Sequence, residues 1–156
     1  MALTIGQRAP QFSLPDTTKA IRSLSEFAGK KVVLLFYPAA FSGVCDKEMC
    51  SFRDSMAVYN NIGAQVIGIS VDGPWANKAF AEKYNLMFPL LSDYNREAVK
   101  QYGVAFNDFG GLKGYTASNR AVFVVDPQGI VTYAWIAEKP GMEPPYEEVK
   151  KAVEKS

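Results

Sequence analysis

The sequence contains only two cysteines, Cys45 and Cys50, and both follow closely on a strongly apolar stretch. The apolar residues Val32–Tyr37 end at Pro38, and Cys45 comes seven positions after that proline. A cysteine thiolate is a strong nucleophile, whereas a protonated buried cysteine behaves as a small apolar side chain. Cys45 therefore has two interpretations, a reactive thiol presented by a loop or a packed core residue.

The chain has no histidine, and this absence restricts the chemistry available to Cys45. It excludes a Ser-His-Asp triad, a Cys-His dyad and every metal site that uses imidazole ligands. Two cysteines are also too few for a disulfide framework or a four-thiolate zinc site. We expect no metal and no cofactor, so an activated thiolate would depend on a helix N-terminus or on arginine and lysine side chains.

Composition predicts a soluble globular protein, because 48% of the 156 residues are hydrophobic and the net charge is +1. That length suits a single domain spanning residues 1–156. The chain has no basic run for binding nucleic acid and no apolar run long enough to span a membrane. The opening residues do not resemble a secretory signal, so we expect a cytoplasmic protein with reduced thiols.

Hydrophobic patterning predicts an α/β domain with a mixed sheet. The expected strands follow short strands and turns in the opening residues, and they are Val32–Tyr37, Gln65–Val71, Met87–Leu91, Ala121–Val125 and Ile130–Ile136. A helical turn is expected at Ser25–Ala28, and the longer helices at Asp46–Asn60, Trp75–Tyr84, Arg96–Tyr102 and Tyr146–Lys155. The Gly-rich segment Phe106–Asn119 is expected to be a loop, and Asp126–Gly129 a turn.

Cys45 is predicted to lie where a strand-loop-helix junction meets the first long helix. A helix N-terminus carries partial positive charge and unpaired N–H groups, which favour a thiolate over a thiol. The preceding loop adds the Ser42 hydroxyl and the flexible Gly43. Cys45 also continues the apolar helix face that contains Met49 and Phe52, so the residues alone leave the core interpretation open.

The spacing of the two cysteines limits how they can react with each other. Residues five apart on a helix have Cα atoms about 8.7 Å apart, whereas a disulfide requires less than about 7 Å. A bond between Cys45 and Cys50 would therefore require the first turns of the helix to unwind. The alternative interpretation of Cys50 is a half-buried helix residue without a redox role.

Several segments resemble the peroxiredoxins of the AhpC/TSA type. The stretch PAAFSGVC at 38–45 fits P-x-x-x-(S/T)-x-x-C, the active-site signature of that family. Further similar segments follow in the family's usual order: GQRAPQFSLPD, VVLLFYP, VIGISVD, FPLLSDYNREAVKQYGV and NRAVFVVDPQGIV. The spacing of Cys45 and Cys50 resembles the bacterioferritin-comigratory branch, and the surrounding sequence resembles one-cysteine enzymes equally.

The resemblance implies a thioredoxin-like fold with an N-terminal strand extension, and a thiol-dependent peroxidase. It assigns Cys45 as the peroxidatic cysteine and Ser42 as the hydroxyl that contacts the thiolate and the peroxide. It also implies that Pro38 shields the site, that Arg120 reaches the sulfur from a neighbouring strand, and that Glu48 positions this arginine. The expected substrates are hydrogen peroxide or organic hydroperoxides.

The resemblance leaves two routes for reducing the Cys45 sulfenic acid. Cys50 resolves it within the same chain, or an external thiol such as thioredoxin, glutaredoxin or a low-molecular-weight thiol does so. Family members often dimerise through loops around the active site, which implies a homodimer that uses Phe41, Trp75 and Phe109. The sequence indicates neither a nucleic-acid nor a membrane partner.

Other classes of function remain possible at the level of sequence. Oxidised Cys45 would also suit a peroxide-sensing regulator or a chaperone. A non-catalytic thioredoxin-fold binding module would instead keep both cysteines inert in the core. A thiol-disulfide reductase is disfavoured because the chain lacks the C-x-x-C motif.

Overall fold

A computed structural model describes residues 3–139 and 141–156, with the side chain of Cys45 outside the described part. The strands are β1 (Ser13–Pro15), β2 (Ile21–Ser23), β3 (Lys31–Phe36), β4 (Ala64–Ser70), β5 (Leu90–Ser92), β6 (Ala105–Phe106), β7 (Ala117–Ser118), β8 (Ala121–Val125) and β9 (Val131–Ile136). The α-helices are α1 (Val44–Asp54), α2 (Met56–Asn61), α3 (Pro74–Tyr84), α4 (Glu97–Gln101) and α5 (Tyr146–Lys155).

A five-stranded sheet in the order β5-β4-β3-β8-β9 forms the centre of the molecule. Strands β3, β4 and β5 run parallel, whereas β8 and β9 pair antiparallel on the other side of β3. The sheet is therefore mixed, as predicted. Strands β1 and β2 form a separate N-terminal hairpin.

Strand β3 lies at the centre because its residues are apolar on both faces of the sheet. Successive side chains of a strand point to opposite faces, so the two faces receive alternate residues. Leu34 and Phe36 pack with Tyr102 and Phe123 in one core cluster. On the other face, Val33, Leu35 and Tyr37 pack in a second cluster, with side chains from α1, α3 and α5: Met49, Phe52, Phe80, Val149 and Val153.

The observed elements differ from the predicted ones at three places. The helix predicted at Asp46–Asn60 is two helices, because the chain leaves helical geometry at Ser55 (φ −96°, ψ 4°) between α1 and α2. The strand predicted at Met87–Leu91 is shorter and begins later, at Leu90 of β5, and Met87 lies outside it with 83% of its surface exposed. The segment predicted as a loop at Phe106–Asn119 contains the short β6–β7 pair.

The remaining predictions agree more closely with the structure. Strand β8 and helix α5 have the predicted bounds, and Gly129 N donates to Asp126 O at 2.9 Å, which closes the predicted turn. Within residues 3–139 and 141–156, no helix is long and apolar enough to cross a membrane. The same residues contain no cluster of three or more side chains arranged to bind a metal ion.

Candidate active site

The parallel strands β3, β4 and β5 end at one edge of the sheet, and the segment that carries the predicted chemistry begins there. Such an edge is where α/β proteins gather their binding and catalytic groups. The segment from Pro38 to Gly43 links β3 to α1, and Cys45 is the second residue of α1. The helix begins at Val44 rather than at the predicted Asp46, which places the Cys45 backbone in the first helical turn.

The loop before α1 is bound to its surroundings by several contacts. Pro38 is buried, and the Ala40 backbone N–H donates to Asp72 Oδ2 at 2.8 Å. The Phe41 ring packs against Phe80 and Tyr84, with centroids 5.2 and 6.4 Å away. These contacts fix the first part of a loop that also contains two residues with positive φ, Phe41 (65°) and Gly43 (81°).

Ser42 lies on the exposed side of this loop. Its hydroxyl donates to the Ala39 carbonyl at 2.8 Å, which closes a local turn. Because Ser42 is exposed, its hydroxyl is accessible from solvent. Ser42 lies three positions before Cys45 in the sequence. The predicted contact between Ser42 and the thiolate involves the Cys45 side chain and so lies outside the described residues.

Beneath the loop is a buried polar network that the sequence analysis missed. Ser70 Oγ donates to Asp72 Oδ2 at 2.8 Å, and the Tyr37 hydroxyl donates to Asn77 Oδ1 at 2.8 Å. Asn77 Nδ2 in turn donates to Ser92 Oγ at 3.3 Å. The network joins the ends of β3, β4 and β5 to α3. The signal in the sequence was the series of polar residues that directly follows each apolar strand.

Arg120 and Glu48 form a buried ion pair beside α1. Arg120 Nη1 lies 3.6 Å from Glu48 Oε1, and the two side chains are 5% and 0% exposed. Arg120 directly precedes β8 and is positioned by its backbone: its N–H donates to Asn119 Oδ1 at 2.8 Å, and its carbonyl accepts from Ala137 N at 2.9 Å. The structure thus brings together two residues that are far apart in sequence, and the positioning role that the family resemblance implies for Glu48 stays a prediction.

Burial raises the pKa of Glu48 to about 8, while the positive charge of Arg120 opposes this shift. Neither carboxylate oxygen of Glu48 has a hydrogen-bond partner among the described residues. Removing a carboxylate from water without donors is costly, so the charged form of Glu48 depends on the nearby positive charge of Arg120.

Cys50 is a half-buried free thiol on α1. The helix is continuous from Val44 to Asp54, so Cys45 and Cys50 lie on the same unbroken helix. A regular helix separates their Cα atoms by about 8.7 Å. In this state of the protein the backbone therefore keeps the two cysteines too far apart for a disulfide.

The aromatic residues expected at a dimer interface differ in their exposure. Phe41 is 47% exposed and Trp75 is 71% exposed. Phe109 is instead half-buried, because its ring packs edge-on against Phe106 and contacts Tyr115. Phe41 and Trp75 are thus accessible to a partner to a greater extent than Phe109.

Comparison with known proteins gives the family. Residues 5–134 match the sequence profile described as the AhpC/TSA family. The chain belongs to this peroxiredoxin family. Over 137 residues it is 41% identical to a protein named putative peroxiredoxin bcp from Coxiella burnetii, covering 86% of this chain and 89% of the relative.

Plant relatives and solved structures agree with this family. A chloroplastic peroxiredoxin Q from Populus jackii is 45% identical over 126 residues, which cover 81% of this chain and 57% of that protein. The crystal structure of peroxidoxin BcpB from Mycobacterium tuberculosis superposes with a TM-score of 0.86 at 31% identity, covering 97% of this chain and 96% of the other. The fold is the thioredoxin-like fold of the peroxiredoxins, and the protein is a thiol-dependent peroxidase.

The buried Glu48 predicts how the stability of this peroxiredoxin changes with pH. Folded Glu48 keeps its proton to about pH 8, whereas the unfolded side chain loses it near 4.5. Between these values the folded state binds more protons, so the free energy of unfolding should fall as pH rises. Glu48→Gln should remove this part of the decrease, as measured by urea denaturation across the pH range.

A matched substitution on the surface provides the control for this measurement. The Glu147 side chain is 79% exposed on α5, so Glu147→Gln should give a stability curve parallel to that of the wild type. Parallel curves for the wild type and Glu48→Gln would contradict the assignment of a raised pKa to Glu48.

Proposed function

We propose that this peroxiredoxin reduces hydrogen peroxide or organic hydroperoxides through a Cys45 sulfenic acid, which Cys50 then resolves within the same chain. The observation that carries the proposal is the position of both cysteines on α1, with the Arg120–Glu48 pair buried beside the same helix. We further propose that residues 1–156 form one domain, supported by two core clusters that share a single central sheet.

In the first step, the Cys45 thiolate attacks one oxygen of the peroxide. A sulfur–oxygen bond forms as the oxygen–oxygen bond breaks, and the departing hydroxide or alkoxide takes a proton to leave as water or alcohol. The N-terminus of α1 favours the thiolate through its partial positive charge and unpaired N–H groups. Cys45 is left as a sulfenic acid, the first and reversible stage of cysteine oxidation.

Arg120 is proposed to stabilise the charge that develops during this step. Its guanidinium is permanently positive and presents several N–H donors in a planar fork. Its backbone hydrogen bonds and the neighbouring Glu48 side chain hold it against α1 before the peroxide binds. Groups fixed in this way stabilise a transition state without having to reorganise.

Ser42 and Pro38 are proposed to shape the peroxide site. The Ser42 hydroxyl is exposed and now donates to Ala39, so a rotation about χ1 would redirect this donor toward a bound peroxide. Pro38 is buried at the base of the loop and has no N–H to pair. It would therefore exclude water from the base of the site.

In the second step, the Cys50 thiol attacks the Cys45 sulfur. A disulfide forms, and the sulfenic oxygen leaves as water. A thiol reductant such as thioredoxin, glutaredoxin or a low-molecular-weight thiol then reduces the disulfide by exchange. The cytoplasmic location predicted from the sequence stays a prediction, and the word chloroplastic in the names of the plant relatives applies to those proteins.

We also propose a homodimer that forms through the loops around the active site. Support comes from Phe41 and Trp75, which expose large aromatic surfaces at the edge of the sheet where the parallel strands end. Aromatic side chains with this exposure are typical of protein interfaces. Phe109 contributes less area because it packs within its own chain.

Peroxide treatment of the reduced protein tests the proposed chemistry. With one equivalent of hydrogen peroxide, the wild type should lose two hydrogens as the Cys45–Cys50 disulfide forms, whereas Cys50→Ser should accumulate a sulfenic acid. Intact mass spectrometry with a thiol-blocking label measures both products. Cys45→Ser is the matched control and should remain unoxidised. A persistent sulfenic acid in the wild type would contradict resolution by Cys50.

Arg120→Lys tests the role of the guanidinium while preserving the positive charge beside Glu48. Loss of the planar fork should lower kcat/KM for hydrogen peroxide about 100-fold, the usual cost of removing one donor to a developing charge. Arg8→Lys is the control, because Arg8 is exposed and its Nη1 donates to Gln128 O in a distant turn. Equal kcat/KM values for Arg120→Lys and the wild type would argue against this role.

Sedimentation velocity across a protein concentration series tests the dimer. The wild type should sediment as a dimer and Trp75→Glu as a monomer, because a charge would be buried in the interface without a partner. Met87→Glu changes a residue that is 83% exposed and should leave the dimer intact. A monomeric wild type at all concentrations would refute the proposed interface.

A further inference from the structure

Tyr84, the last residue of α3, is hydrogen-bonded to the first turn of α1. Its hydroxyl donates to Asp46 Oδ2 at 2.6 Å, and Asp46 is the residue directly after Cys45. A hydroxyl-to-carboxylate bond of this length is among the strong hydrogen bonds of proteins. This hydrogen bond with Asp46 also raises the pKa of Tyr84, so the phenol remains the donor.

The same tyrosine also holds the other end of α1. Its backbone carbonyl accepts a hydrogen bond from Arg53 Nη1 at 2.7 Å. Cys50 lies between the two attachment points, Asp46 on one side and Arg53 on the other. Removing the phenolic hydroxyl would therefore release the N-terminal turn of α1 and leave the C-terminal end attached to α3.

The first turn of α1 is the part that must move before Cys50 can react with Cys45. The two Cα atoms are about 8.7 Å apart on an intact helix and must approach within about 7 Å for a disulfide. Unwinding from the N-terminus carries Asp46 away from Tyr84. The Asp46 carboxylate would then lose its hydrogen bond to Tyr84. Its second oxygen, Oδ1, is buried without a hydrogen-bond partner among the described residues.

Among the described residues, both the Glu48–Arg120 pair and the Tyr84–Asp46 hydrogen bond oppose this unwinding, and the second lies outside the proposed peroxide chemistry. The Glu48–Arg120 pair stabilises the helix, but Arg120 is also proposed to act on the peroxide. The Tyr84–Asp46 bond joins α3 to α1 without involving Arg120 or Ser42. It can therefore change the rate of unwinding separately from the rate of oxidation.

We propose that the Tyr84–Asp46 hydrogen bond is a latch on the first turn of α1 that sets how fast Cys50 resolves the oxidised Cys45. The inference rests on the proposed function, and it makes Tyr84 a positioning residue. A closed latch keeps α1 helical while the thiolate reacts with peroxide. It also prolongs the life of the sulfenic acid, which a second peroxide can oxidise to the sulfinic acid.

Tyr84→Phe tests the latch, because the ring and its packing remain while the hydroxyl is lost. Rapid quenching with a thiol-blocking label, followed by intact mass, measures sulfenic acid and disulfide separately. Resolution should become about tenfold faster, near the low end of the effect of losing one hydrogen bond to a charged group. The rate of sulfenic acid formation should stay at its wild-type value, and less sulfinic acid should form in excess peroxide.

Tyr133→Phe is the matched control for this experiment. Its hydroxyl also donates to a carboxylate, Glu148 Oε1 at 3.2 Å, but this contact joins β9 to α5. Tyr133→Phe should therefore keep both rates. Hydrogen exchange in the reduced proteins adds an independent measurement: amides at 44–50 should exchange faster in Tyr84→Phe and at the wild-type rate in Tyr133→Phe.

The outcomes distinguish the latch from the function on which it rests. A Tyr84→Phe protein that forms the disulfide at the wild-type rate or slower would overturn the latch while leaving resolution by Cys50 intact. Equal acceleration of oxidation and resolution would overturn it as well, because the effect would then lie in the chemistry of Cys45. A wild type that never forms the disulfide would overturn both proposals.

Discussion

The buried ion pair between Arg120 and Glu48 is the interaction on which the arrangement of this site depends. It joins the residue before β8 to the second turn of α1, and both side chains are almost entirely removed from water. Burying the Arg120 charge beside the Glu48 carboxyl group is costly, and this burial is what raises the pKa of Glu48. Part of this cost is offset because hydrogen bonds with Asn119 and Ala137 already fix the backbone of Arg120, so little further ordering is needed to place its guanidinium beside Glu48.

A second constraint is that both cysteines share one helix. The helix that supplies positive potential to Cys45 also holds Cys50 out of reach, so the conformation suited to peroxide attack differs from the one suited to disulfide formation. Catalysis by this peroxiredoxin would then alternate between two conformations of α1. Side chains that tie α1 to the rest of the fold, among them Glu48, Arg53 and Asp46, would then determine the relative stability of these conformations.

Local patterns were sufficient to predict most elements of the sheet. The continuous apolar residues of β3 predicted a central strand, and the Asp-Pro-Gln-Gly turn predicted the β8–β9 hairpin. The predictions failed where no local pattern marks a boundary. The helix break at Ser55 interrupts an otherwise regular apolar face. Met87 was predicted to lie in a strand because it is apolar, but it is exposed, since an apolar side chain does not by itself reveal whether it is buried.

The sequence by itself determined the chemistry that is available: two cysteines, no histidine, and a Ser-Gly loop before a helix. It also indicated the family, through the spacing of Pro38, Ser42 and Cys45 together with a series of similar segments in the family's usual order. Only the tertiary structure decided which charges meet, because Glu48 and Arg120 are 72 residues apart by their numbering and join through sheet order. The same is true of Tyr84 and Asp46, since a contact between two helices depends on how both pack against a sheet that neither sequence segment encodes.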